Sequence, residues 1–152
     1  MLWVMIRPAQ PLDAGAVGRI LSEFADTTDW MPRLHSRAED ISLAGSMIDR
    51  GWVHVFERDA ILGFIARDSE EICALYVARN MRGKGIGKAF LENAKQDTQR
   101  LELWTFQSNL RAQKFYMREG FNEVEHSDGQ RNEEKLPAIK FLWTKAPMHW
   151  LY

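Results

Sequence analysis

The chain has 152 residues, of which 45% are hydrophobic and 27% charged, and its formal net charge is -1. That length encloses one hydrophobic core, so a single domain over residues 1–152 is expected, with no segment too poor in apolar groups to fold. The near-neutral balance excludes a nucleic-acid binder that relies on a general basic excess, and any basic site must be local.

Residues 2–7 read as a strand. The apolar start is cut by Arg7 and Pro8, too short for a signal-peptide core or a membrane span, which predicts a cytoplasmic protein with no membrane partner. Asp13 is a plausible N-cap for a helix that places Val17, Leu21 and Phe24 on one face. After a loop with Trp30, Pro32 and His35, residues 38–49 resume helical spacing through Ile41, Leu43, Ala44 and Ile48, and Gly51 stops them. Residues 52–57, 61–67 and 72–77 read as three strands of an antiparallel meander. Ile86, Ala89, Phe90 and Ala94 then repeat at helical spacing, residues 101–106 form a strand, and Ala112, Phe115, Tyr116 and Glu119 share a face of a helix ended by Gly120. Residues 122–124 and 138–143 close the sheet around a long polar hairpin loop.

Cys73 is the only cysteine. It lies in an apolar run, so no intramolecular disulfide can form and a buried structural thiol is expected. The four histidines are far apart, without the close spacing of a zinc site, and no metal is expected.

The chemistry concentrates where the strand over 72–77 passes through Arg82-Gly83-Lys84-Gly85-Ile86-Gly87-Lys88 into a helix. Glycines remove side chains that would hold an anion away, so backbone N–H groups converge on phosphate oxygens at a positive helix end. Arg82, Lys84 and Lys88 add charge. The nucleotide P-loop pattern fails at Arg82 and Ala89, and the dinucleotide fingerprint fails at Lys88 and Phe90.

The pattern R-x-x-G-x-G at Arg82, Gly85 and Gly87, following Leu75-Tyr76-Val77, resembles the GNAT superfamily of N-acetyltransferases. Asn109, Ala112, Phe115-Tyr116 and Gly120-Phe121 are similar to that family's second conserved segment. The resemblance implies a mixed α/β fold, a twisted and mostly antiparallel sheet of about seven strands flanked by about four helices. It also implies acetyl-CoA as acetyl donor, held by the glycine loop, by Leu75, Tyr76 and Val77 on an exposed strand edge, and by Asn109. From the residues alone, Asn109 is equally suited to cap the helix that follows it.

The activity implied is acetyl transfer to a primary amine of a small molecule or peptide by direct attack; the rival is a non-catalytic CoA-binding sensor or assembly module. Tyr116 matches the family's proton donor to the departing sulfur, and a phenol of ordinary pKa about 10 stays protonated at neutral pH. Glu71 is the first expectation for the base, on the strand face shared by Cys73, Leu75 and Val77, and His35 the second. Trp30, Trp104, Phe106 and Trp143 suggest an aromatic acceptor pocket. Trp104 and Phe106 share a strand face, and Asp128, Glu133 and Glu134 with Asn132 offer negative charge to a cationic amine. The apolar terminus with Met148, Trp150, Leu151 and Tyr152 is expected to cover a sheet edge, pack on the core or join a homodimer contact.

Overall fold

The computed structural model describes residues 2–146, so the apolar terminus lies outside the described residues. Seven strands form one sheet: β1 (Ile6–Pro8), β2 (Val53–Arg58), β3 (Ala60–Asp68), β4 (Glu71–Val77), β5 (Arg100–Phe106), β6 (Asn122–Ser127) and β7 (Ala138–Thr144), in the order β1-β2-β3-β4-β5-β7-β6. All neighbours run antiparallel except β4 and β5. Asp59 and Ser69, both at positive φ, turn the hairpins between β2 and β3 and between β3 and β4, the meander expected from the sequence.

Four helices cover the sheet: α1 (Ala14–Thr27), α2 (Arg37–Asp49), α3 (Ile86–Lys95) and α4 (Leu110–Arg118). Each buries an apolar stripe. On one face Phe90 and Leu91 of α3 and Tyr116 of α4 pack with Leu101, Leu103 and Phe141. On the other, Val17 and Ile20 of α1 and Ala44 and Ile48 of α2 pack with Val55 and Phe64. Among the described residues, no helix is long and apolar enough to cross a membrane.

Four sequence expectations need correction. Residues 2–5 form a 3-10 helix rather than the start of a strand, and Leu2 and Met5 pack on the core beside α3; an apolar run alone does not separate a strand from a packed turn. Ile41 and Leu43 are 42% and 50% exposed, because α2 turns Asp40, Ala44, Met47 and Ile48 inward instead. Cys73 is exposed, not buried. The register of β3 against β4 slips between Ala66↔Ala74 and Arg67↔Ile72, leaving Cys73 as the extra residue of a β-bulge. That slip reverses the alternation: Ile72, not Glu71, shares the core face of Leu75 and Val77.

Asp13 occupies the N-cap position of α1 but makes no side-chain cap bond there; its carboxylate is taken by Arg7 at 2.9 Å and by the Gln10 N–H at 2.7 Å. The two N-terminal helices approach closely at Gly18, where an added Cβ would lie 2.6 Å from Ile41 Cα. Backbone cannot yield as a side-chain tip can. Gly18→Ala is expected to lower unfolding stability by about 1–3 kcal/mol, as overpacking does, read as the shift in urea midpoint; an unchanged midpoint would show that α2 moves away freely.

Candidate active site

The single parallel pairing in the sheet is nearly absent. β4 and β5 share one register pair, Glu71↔Glu102, joined by the Glu102 N–H to the Glu70 carbonyl at 2.9 Å, whereas β5 and β7 pair over all seven residues of each. From Cys73 onward β4 therefore splays from β5 and presents an unpaired edge, a row of donors and acceptors that a ligand can satisfy.

A cavity of about 990 Å³ opens along this splay. Leu75, Tyr76 and Val77 line it, together with Arg82, Gly83, Gly85, Ile86, Gly87 and Lys88 of the glycine loop and Asn109 and Tyr116 of the α4 region. The structure thus brings together all the sequence-predicted cofactor residues except Lys84, which does not line the cavity.

The loop folds as an anion cradle because its glycines take backbone angles that other residues resist. Gly83 and Gly85 have φ of 76° and 88°, and Gly85 is the left-handed N-cap of α3. Among the described residues the N–H groups of residues 83–88 find no acceptor, except that the chain hydrogen-bonds again when the Ala89 N–H reaches the Gly85 carbonyl at 3.0 Å. These are the orphan donors of a helix start, on residues that, Lys84 apart, line the cavity. The donor set fits a pyrophosphate.

Positive charge is arranged around the cradle. Arg82 is partly buried and its Nε donates to the Val77 carbonyl at 3.3 Å, bracing the end of β4. Burial, then the nearby Arg111, lowers its pKa from the ordinary guanidinium value. An anion in the cavity would offset the repulsion between these two cations. Arg111, in the first turn of α4, lines the cavity and was missed from sequence, since nothing in its spacing distinguishes it from a solvated helix residue. Glu23 of α1 was missed too; its Oε1 accepts the Arg79 N–H at 2.7 Å and ties α1 to the entry of the loop.

Asn109 caps α4: its side-chain oxygen accepts the Ala112 N–H at 3.1 Å. The side-chain amide of Gln113 donates to the Phe106 and Gln107 carbonyls at 3.1 and 2.8 Å, fixing α4 to the end of β5. Tyr116 is consequently held inside, 7% exposed, between Phe115, Phe121 and Phe141, while still lining the cavity. Burial, with the field of Tyr76, pushes its phenol pKa well above the ordinary value, so it stays protonated. Tyr76 is pushed up to about 12, by burial and then by the charge of Glu134.

At the other end of the cavity Phe24, Trp30 and Tyr76 form an aromatic wall, backed from outside the lining by Phe106 of β5. Phe24 of α1 meets Tyr76 at 5.0 Å between ring centroids and Trp30 at 6.0 Å, and Trp30 meets Phe106 at 5.7 Å. From sequence Phe24 reads as an apolar-face residue of the first helix, not as part of the site. Trp104 shares the sheet face of Phe106 but is 45% exposed and does not reach the cavity. Trp143 does not join the wall, a correction: paired with Leu101 in register, it faces the opposite side, under the Lys95 ammonium at 5.1 Å.

Glu71 stands at the start of β4, exposed and outside the cavity lining, roughly 20 Å along the strand from Val77. His35 and Glu133 also lie outside the lining but contact each other, joining the α1–α2 loop to the β6–β7 loop, with Glu39 3.7 Å from the His35 Nδ1. The β6–β7 loop is itself pinned by Asn132, whose side chain donates to the Leu136 carbonyl at 2.7 Å and accepts the Leu136 N–H at 3.1 Å.

Partial desolvation opposes protonation of His35, but Glu133 and then Glu39 outweigh it and raise its pKa above the ordinary value. The ionic stabilisation from Glu133 is therefore present in full below about pH 6.5, as long as the carboxylate stays ionised, and is lost as pH rises through the raised value. An NMR titration of the His35 ring is expected to give a midpoint above the ordinary value that falls in Glu133→Gln; equal midpoints would show that the contact does not form in solution.

A splayed β4 edge, an amide cradle at a helix start and a buried protonated phenol beside them have the shape and chemistry to suit an extended, amide-bearing anionic ligand. A family profile described as "Acetyltransferase (GNAT) domain" matches residues 32–140, and the chain belongs to that family, whose acetyl donor is acetyl-CoA. It is 31% identical over 95 residues to the peptidyl-lysine N-acetyltransferase YjaB of Escherichia coli strain K12, covering 62% of this chain and 65% of that protein. It is 29% identical over 150 residues to the peptidyl-lysine N-acetyltransferase YiaC of the same organism, covering 91% and 96%. The chain thus spans slightly under two thirds of the length of the YjaB relatives it matches. The solution structure of apo YjaB from Escherichia coli has the same fold, with a TM-score of 0.75 at 24% identity over 93% of this chain and 97% of that one.

Proposed function

We propose that this chain transfers an acetyl group from acetyl-CoA to the side-chain amine of a lysine in a peptide or protein, by direct attack of the neutral amine. The splay of β4 from β5, opening onto both the amide cradle and Tyr116, is the observation that carries this reading. The relatives named peptidyl-lysine N-acetyltransferases support the acceptor class.

Acetyl-CoA supplies an activated thioester carbonyl. The protein's own groups do the rest. Main-chain groups of Leu75 and Val77 on the free β4 edge pair with the amides of the pantetheine arm, as an added strand would. The N–H groups of residues 83–88, with Arg82, Lys88 and Arg111, hold the pyrophosphate charge, and the Asn109 side chain borders the arm. Tyr116, which lines the cavity and carries its proton throughout the neutral range, delivers that proton to the departing sulfur. The proton released by the amine leaves to solvent water, and Glu71, outside the cavity lining at the far end of β4, is the carboxylate proposed to take it up from there. Trp30 and Phe106 form the apolar wall along which a lysine's methylene chain slides, with Trp104, His35 and Glu133 farther out toward the flanking peptide.

The test is thiol release from acetyl-CoA against a panel of lysine peptides, peptides whose only amine is the N-terminus, and small polyamines, with Glu71→Gln alongside. Lysine peptides are expected to turn over fastest, and Glu71→Gln to lower kcat measurably, by less than the roughly 100-fold expected of a base within hydrogen-bond reach. Preference for N-terminal amines or polyamines would overturn the acceptor class, and unchanged kcat in Glu71→Gln would remove Glu71 from the proton path. Binding without turnover across the panel would establish a CoA-binding sensor instead.

A further inference from the structure

The connection between α1 and α2 carries Trp30 and His35 yet has little backbone structure of its own. Its ordered features are the Met31 N–H on the Thr28 carbonyl at 3.1 Å and the Ser36/Glu39 capping box that starts α2. What fixes it is a chain of charged side chains beneath. Asp40, only 8% exposed in the first turn of α2, accepts the Ser22 hydroxyl of α1 at 2.6 Å and lies 3.5 Å from Arg33 Nη1. Arg33 Nε is 3.2 Å from Asp26 at the end of α1, and Asp26 also takes Arg37 at 3.1 Å. The Arg33 guanidinium is thus strung between the last turn of one helix and the first turn of the next.

We infer that Arg33 and Asp40 are positioning residues for the acceptor: together they lock the α1–α2 loop so that Trp30 stands fixed between Phe24 and Phe106. The inference rests on the proposed acceptor side of the cavity. A buried carboxylate is a poor choice for stability alone, since a well-packed apolar residue would serve as well or better. Its value lies in selecting one loop conformation. Arg33 is three residues from Trp30, so loss of the tether frees the ring directly. A preformed wall spares the acceptor the cost of ordering it, whereas neither Arg33 nor Asp40 lines the cavity or bonds to the glycine loop, so the cofactor cradle keeps its own contacts.

Arg33→Met and Asp40→Asn test this, the second keeping an acceptor for Ser22. In each, the acceptor KM is expected to rise about tenfold while kcat and the acetyl-CoA affinity stay within about threefold. The double variant should be no worse than either single one, because both break one tether. Hydrogen exchange at the Met31 and Ser36 amides, the loop N–H groups with acceptors among the described residues, provides a readout independent of turnover in the acetyl-CoA-bound protein, with protection lost in both variants. An unchanged acceptor KM and unchanged exchange in folded variants would overturn the inference, as would additive effects or a parallel loss of acetyl-CoA affinity. Exchange that rises as expected in a protein that acetylates no amine would leave the tether standing and sink the proposed activity instead.

Discussion

Tyr116→Phe is expected to lower kcat by about 100 to 10,000-fold, the usual contribution of a positioned acid, with acetyl-CoA affinity unchanged within about twofold. The hydroxyl is the only group removed. The ring keeps its contacts with Phe115, Phe121 and Phe141, so the core and the helix stay as they are. Because burial holds the phenol far above its ordinary pKa, the tyrosine does not limit the rate by ionising anywhere in the neutral range. A stopped-flow or steady-state thiol assay reads the effect. Wild-type kcat in Tyr116→Phe would mean that the sulfur leaves as thiolate or is protonated by water, and the assigned role would be lost.

Gly87→Glu is expected to weaken acetyl-CoA binding beyond detection by calorimetry. Gly87 lies in the first turn of α3, and a Cβ there would sit 3.1 Å from the Phe115 ring, inside the gap between α3 and α4 that the cavity occupies. A glutamate would fill that gap and place a negative charge at the helix start, where the cradle donors lie. Gly87 has no positive φ, so the substitution strains no backbone, and folding is expected to survive with a modest loss from the Phe115 contact. Gly87→Ala separates the two effects: it meets the same ring without the charge and is expected to bind acetyl-CoA measurably, though less tightly. Retained wild-type affinity in a folded Gly87→Glu would refute the cradle.

Much of the site was legible because its signals are local. Glycines at 83 and 85 announce left-handed backbone, and the apolar spacing after them announces a helix, so strand, cradle and helix start can be read from one stretch. Asn109, Tyr116 and Gly120 follow for the same reason: a cap, an inward helix position and a left-handed stop are each set by near neighbours. What escaped was set at a distance. The bulge at Cys73 depends on how β3 meets β4, and a single-residue slip moved Glu71 off the face expected from strict alternation and brought the cysteine to the surface. The tether from Ser22 through Asp40 and Arg33 to Asp26 joins residues of two helices whose approach is fixed by Gly18 and Ile41. Trp143 and Trp104 look alike in sequence, and only the pairing of β5 with β7 sends one to the core face and the other to the opposite side.

In the proposed function, the free β4 edge and the amide cradle hold acetyl-CoA together. The most direct measurement is a titration of the isotope-labelled protein with acetyl-CoA followed by amide NMR. The amides of residues 75–77 and 83–88 are expected to shift with one saturating curve, because the arm and the pyrophosphate belong to one ligand. Shifts confined to other parts of the chain, or no saturable change, would contradict the account.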